Sequence, residues 1–179
     1  MSRFVAFLRA INVGGHTVKM DVLRRLFEAQ GFSSVKTFIA SGNLIFETNT
    51  KDTRSLEKKI ESTLRASLGY EVATFIRTST ELAAIADYRP FKPSELGSAA
   101  ALNVAFLAGP LDAASKQNLM ALRTAIDDFH VHGREIYWLC RKRQSESTFS
   151  NNVLEKTLGQ PSTLRGIATL QKMAAKYSS

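Results

Sequence analysis

The chain has 179 residues, enough for one domain or for two small halves sharing a core. Hydrophobic residues make up 44% and charged residues 22%, a mix that excludes disordered and fibrous classes. Lys and Arg number 24 against 16 Asp and Glu, a net charge of +8 that sits in the two ends: residues 1–36 hold six bases and two acids, residues 141–179 seven and two, residues 37–140 eleven and twelve.

Phe4 to Arg9 is short and apolar and reads as a buried strand. Asn12–Val13–Gly14–Gly15 is a turn. Met20, Leu23, Leu26 and Phe27 recur at helical spacing until Gly31. Val35 to Ala40 and Leu44 to Thr48 flank Ser41–Gly42–Asn43, a hairpin pattern. Leu56, Ile60 and Leu64 predict a second helix closed by Gly69, and Tyr70 to Thr78 a fourth strand. The order over the first 78 residues is therefore β-α-β-β-α-β.

Thr80 to Asp87 predicts a short helix, and Arg89–Pro90–Phe91–Lys92–Pro93 with Gly97–Ser98 reads as a linker. The pattern then restarts. Leu102 to Leu107 is a strand, and Asp112 caps a helix running through Leu119 and Leu122. Phe129 to His132 and Glu135 to Cys140 form a hairpin about Gly133–Arg134. Phe149 to Leu158 is a helix, and Ile167, Leu170 and Met173 mark a last one. The fold class expected is α+β: two ferredoxin-like halves of βαββα type packed as one compact unit. The halves are 1–78 and 98–179, the second ending in an extra helix, with 79–97 between them.

Cys140 is the only cysteine, which excludes an internal disulfide and four-cysteine zinc sites and suits a reducing compartment. Arg9 interrupts the N-terminal apolar run, and no stretch approaches the ~20 apolar residues of a membrane span. A cytoplasmic protein with no membrane partner is expected.

Three stretches carry a family resemblance: Arg9-Ala-Ile-Asn-Val-Gly-Gly15 with Val18 and Met20; Thr37-Phe-Ile-Ala-Ser-Gly-Asn-Leu-Ile-Phe46; and Ser145 to Phe149 leading into Leu154-Glu155-Lys156 and Leu158-Gly159. In this order and spacing the chain resembles the bacterial domain-of-unknown-function family 1697. The resemblance implies two ferredoxin-like halves and brings no established activity. Relatives commonly end in Thr-x-Arg-Asn-Trp-x-Thr. Here Thr163-Leu-Arg-Gly-Ile-Ala-Thr169 keeps Thr, Arg and Thr and lacks the Asn and Trp.

No motif names a reaction or a cofactor. The Asn12–Thr17 loop joins a strand to a helix N-terminus, where paired glycines and free amides favour an anion. A tight turn capped by His16 or Thr17 explains the same residues. In a ferredoxin-like sheet strands 1 and 3 are neighbours, and strand 3 begins where strand 1 ends. Arg9, Asn12, Gly14, Gly15, Ser41 and Asn43 are thus expected at one sheet edge, suited to a small polar or phosphorylated ligand. Tyr137 or Trp138, beside Arg141–Lys142–Arg143, offers an alternative: a ring and a basic run for single-stranded nucleic acid. Cys140 shares a face with Ile136 and Trp138 and is expected in the core, although the same basic run would favour a reactive thiolate. His130 and His132 point the same way, a geometry that binds a metal only with a third ligand such as Asp128; two exposed hairpin histidines explain the same spacing, and no metal is expected.

Overall fold

The computed structural model describes residues 1–11, 17–39 and 42–177. It resolves into two compact units: residues 1–84 with 173–177, and residues 85–172.

In the first unit β1 (Ser2–Leu8), α1 (Met20–Ala29), β2 (Ser33–Thr37), β3 (Asn43–Thr48), α2 (Thr53–Leu68) and β4 (Thr74–Thr78) follow one another. The sheet order is β2-β3-β1-β4, antiparallel throughout. Alternation along β1 decides the packing. Phe4, Ala6 and Leu8 join Leu44, Phe46 and Ile76 against Leu23 and Phe27 of α1 and Leu56, Ile60 and Leu64 of α2. Phe46 stacks on Phe4 at 5.8 Å and meets Phe27 edge-on at 5.5 Å, arrangements aromatic rings prefer. Asp52 starts α2 by accepting the Arg54 and Ser55 N–H groups, and Gly69 ends it at φ 83°. The opposite sheet face carries Val5, Phe7, Ile45, Phe75 and Arg77, all buried.

α3 (Ser79–Asp87) follows β4, and the division between units falls within it. The stretch expected as linker contains a short helix, α4 (Pro93–Gly97). Proline suits the first helical turn because its missing N–H would have no partner there.

The second unit repeats the plan with β5 (Ala101–Phe106), α5 (Ala113–Met120), β6 (Asp127–His132), β7 (Glu135–Cys140), α6 (Asn151–Leu158) and β8 (Thr163–Gly166). Its sheet order, β6-β7-β5-β8, matches the first. Asp112 caps α5 as expected, accepting the Ser115 N–H at 2.7 Å. The strand β8 corrects the expectation that this half closes on a helix alone. The last helix, α7 (Ile167–Tyr177), begins directly after it. Residues 173–177 of α7 belong to the first unit, whereas the sequence division left 98–179 together. Among the described residues no helix is long and apolar enough to cross a membrane.

Candidate functional site

Of the residues expected at one edge, the described ones are Arg9, which follows β1, and Asn43, which opens the neighbouring strand β3. Phe7 lies opposite Asn43, the Leu8 N–H donates to Gly42 O at 2.9 Å, and the Arg9 N–H donates to Ala73 O at 2.9 Å. Three left-handed residues gather there: Ala10 at φ 50°, Ile39 at φ 54° and Gly42 at φ 81°. Gly42 is required twice over. Its φ favours glycine, and a Cβ on it would stand 3.1 Å from Leu8 Cβ and 3.2 Å from Ile11 Cγ2. Ile11 is buried, and its carbonyl accepts the Tyr70 hydroxyl at 3.0 Å. Burial raises the Tyr70 pKa, so this donor stays protonated.

Arg9 is half-buried at this rim. Asn12, Gly14, Gly15 and Ser41 lie outside the described residues, as does His16. Asn43 has a different role from the expected one. It is fully buried, and its Nδ2 donates to Phe38 O at 3.0 Å while the Phe38 N–H donates to Asn43 O at 3.0 Å. Its amide builds the hairpin rather than facing outward. The cap of α1 is likewise not His16 or Thr17. Lys19 holds that position with no side-chain hydrogen bond. Ile39 was missed because an apolar residue in a β-rich run reads as buried strand. In the structure β2 ends at Thr37, and Ile39 is 53% exposed.

The far end of β1 carries a feature no motif announced. A polar cavity of about 430 Å³ is lined by Ser2, Arg3, Glu47, Thr78, Ser79 and Thr80. The Arg3 guanidinium lies 3.5 Å from Glu47 and donates to Tyr177 O at 3.1 Å.

The other candidates lie in the second unit. Tyr137 and Trp138 are both buried, where one was expected to reach an open face. The Tyr137 hydroxyl donates to Ile85 O at 2.7 Å, and burial pushes its pKa far above the ordinary phenol value. The Trp138 Nε1–H donates to Asp127 Oδ1 at 2.9 Å. Neither ring is available to stack on a base. Of the basic run, Arg141 pairs with Glu95 at 3.8 Å, while Lys142 and Arg143 are exposed. Cys140 is in the core with Ile136 and Trp138. Burial raises its thiol pKa despite the neighbouring cations, and its Sγ–H donates to Lys142 O at 2.8 Å. His130 and His132 do share a face, but they take hold of Tyr88. Its hydroxyl is 2.8 Å from His130 Nε2, and its ring stacks on His132 at 3.9 Å. Burial, then the neighbouring His132, holds the His130 imidazole below its ordinary pKa. Among the described residues no three His, Cys, Asp or Glu side chains gather as a metal site.

The family model described as "Protein of unknown function (DUF1697)" matches residues 1–137. The chain belongs to this family. The match takes in the first two sequence motifs and the whole β1–β3 rim, and it ends ahead of the third motif. The structure of the conserved bacterial protein SP0830 from Streptococcus pneumoniae resembles this DUF1697 chain at a TM-score of 0.78, with 21% identity over 97% of each chain. That likeness concerns the fold. No curated protein matches the chain. Across the β5/β8 pair Asn103 stands opposite Gly166, with 3.7 Å between its Oδ1 and a Cβ built on that glycine.

Proposed function

We propose that this DUF1697 protein binds a small anionic ligand, a phosphate ester, at the rim where β1 and β3 end. In this reading Arg9 supplies the cation, and Asn12, Gly14, Gly15 and Ser41, assigned to the same edge from the sequence, supply amide and hydroxyl donors. One observation carries the reading: the left-handed residues Ala10, Ile39 and Gly42 fall just after β1, just after β2 and just before β3, on the rim that Arg9 shares. Each non-glycine residue in that conformation costs about 1–2 kcal/mol, and such strain collects where backbone geometry serves a ligand.

A thermal-shift titration with ribose 5-phosphate tests it. Ligand at about 100 times its Kd stabilises by ~2.7 kcal/mol, which for a chain of this size raises Tm by about 5–10 °C. Arg9→Ala is expected to abolish the shift while leaving the unliganded Tm near the parent value. An equal shift in Arg9→Ala places the site elsewhere. Tight binding of a single-stranded RNA that survives moderate salt would instead favour the nucleic-acid alternative.

A further inference from the structure

Ile39 stands apart from the apolar residues around it in two respects. Among the described residues it is one of three large apolar side chains exposed to solvent, at 53%. It is also the only β-branched residue there with a left-handed backbone, at φ 54°. Glycine or asparagine would occupy that backbone with less strain. A polar side chain would meet water without the cost of exposed apolar surface. On the N-terminal side of Ile39 the chain is fixed. Phe38 is held by two hydrogen bonds to Asn43 and packs edge-on against Tyr177 at 5.9 Å. Ile39 is therefore presented from a rigid base.

Its place on the rim gives the exposed side chain a meaning. The neighbours β2, β3 and β1 end together, and strands lie about 4.8 Å apart, so the backbone at Ile39 stands roughly 10 Å from that at Arg9. A ligand whose phosphate reaches the Arg9 side chain would extend any further bulk toward Ile39. We infer that the ligand carries an aromatic or other apolar group beside its phosphate, and that Ile39 receives that group. This rests on the anion-binding reading above and adds the class of ligand preferred: an aryl or similarly flat phosphomonoester binds more tightly than a simple sugar phosphate, which occupies the anion site alone.

Two phosphomonoesters separate the claims. Methyl phosphate and 2-naphthyl phosphate are titrated into the isotope-labelled full chain, with the amide signals of Phe38 and Asn43 followed by NMR. In the parent, 2-naphthyl phosphate should bind about tenfold more tightly, the effect of burying one aliphatic contact. Ile39→Asn tolerates the left-handed backbone, so its Tm should equal or exceed the parent value, and it should bring the two ligands within about twofold of each other. Ile39→Leu, apolar but not β-branched, should keep the preference. Equal binding of the two esters by the parent overturns the role of Ile39 and leaves the anion site standing. A preference that persists in Ile39→Asn overturns it as well, as does a Tm for Ile39→Asn well below the parent. If neither ester moves the rim signals, the anion site itself falls, and this inference with it.

Discussion

In the first unit the edge strand β4 meets two glutamates from one helix; in the second, a helical glutamate meets Ser162, just ahead of the edge strand β8. The scaffolds are otherwise alike. Arg77 lies opposite Val5 and Arg165 opposite Val104, and both arginines are buried. Each donates from Nη1 to the carbonyl of its predecessor at 2.9 Å, Ile76 in one unit and Leu164 in the other. Burial lowers the Arg165 pKa to about 10. The units differ in their edge amides. Glu61 accepts the Thr74 N–H at 2.9 Å and Glu57 accepts the Ile76 N–H at 2.8 Å. Four helical residues rise about 6 Å and two strand residues about 7 Å, so carboxylates four apart on α2 match alternate amides of β4. Glu81 accepts the next amide, that of Thr78, at 2.9 Å. In the second unit Glu155 accepts the Ser162 N–H at 2.9 Å, but the residue one turn earlier is Asn151, whose amide donates to Ser162 O. α6 has 8 residues where α2 has 16. The longer helix meets alternate amides along its edge strand; the shorter one holds the residue where its edge strand begins.

The largest effect that separates the halves is expected from Trp138→Ala. The ring packs against Phe149 at 4.7 Å in the second core, while its Nε1–H anchors the buried Asp127, which also accepts the Ser147 hydroxyl at 2.7 Å. Losing a ring of this size costs about 4 kcal/mol, and urea unfolding followed by circular dichroism should show a midpoint shift to match. The glutamates come next. Glu57→Ala leaves a buried amide without its acceptor and should cost about 3 kcal/mol, with fast hydrogen exchange at Ile76. Glu155→Ala should cost about 1.5 kcal/mol and speed exchange at Ser162. Equal losses would show that the second carboxylate on α2 adds nothing. The hairpin glycines make a third pair. Gly42→Ala meets both a left-handed φ and crowding and should cost about 2.5 kcal/mol. At Gly133, φ 61°, the nearest atom to a Cβ is Glu135 Oε1 at 3.9 Å, so Gly133→Ala should cost about 1 kcal/mol. The smallest effect is one of pH. Burial raises the Glu61 pKa, so the folded chain holds that proton more firmly than the unfolded chain does. Its contribution is therefore best below the ordinary carboxylate pKa and declines as pH rises through the raised one. Glu61→Gln should flatten this part of the stability profile, a difference readable in thermal midpoints measured across that range.

Much of the scaffold is written in local signals. Leu56, Ile60 and Leu64 share one face of α2, Asp52 and Asp112 cap helices, and Gly69 closes one at φ 83°. Strand β8 is legible only in the tertiary structure. Its four residues run straight into Ile167, Leu170 and Met173, whose helical spacing dominates the sequence, and pairing with β5 is what makes Thr163–Gly166 a strand. At the rim, neighbouring strands could be inferred from fold topology, which is why Arg9 and Asn43 were placed at one edge. The inward turn of the Asn43 amide could not be inferred, because it depends on Phe38 O standing 3.0 Å away. The same holds for Tyr137 and Trp138. Alternation along a strand puts them on opposite faces, and only the residues above each face decide that both are covered.

The buried thiol has a practical consequence. Cys140 is the single cysteine of the chain and sits at the centre of the second sheet's core, 0% exposed. A maleimide or disulfide reagent therefore reaches it only when that core opens. Its labelling rate is a clock for the opening of residues 85–172 that needs no engineered probe, and a cysteine introduced on the first unit would be modified selectively while the native one stays silent.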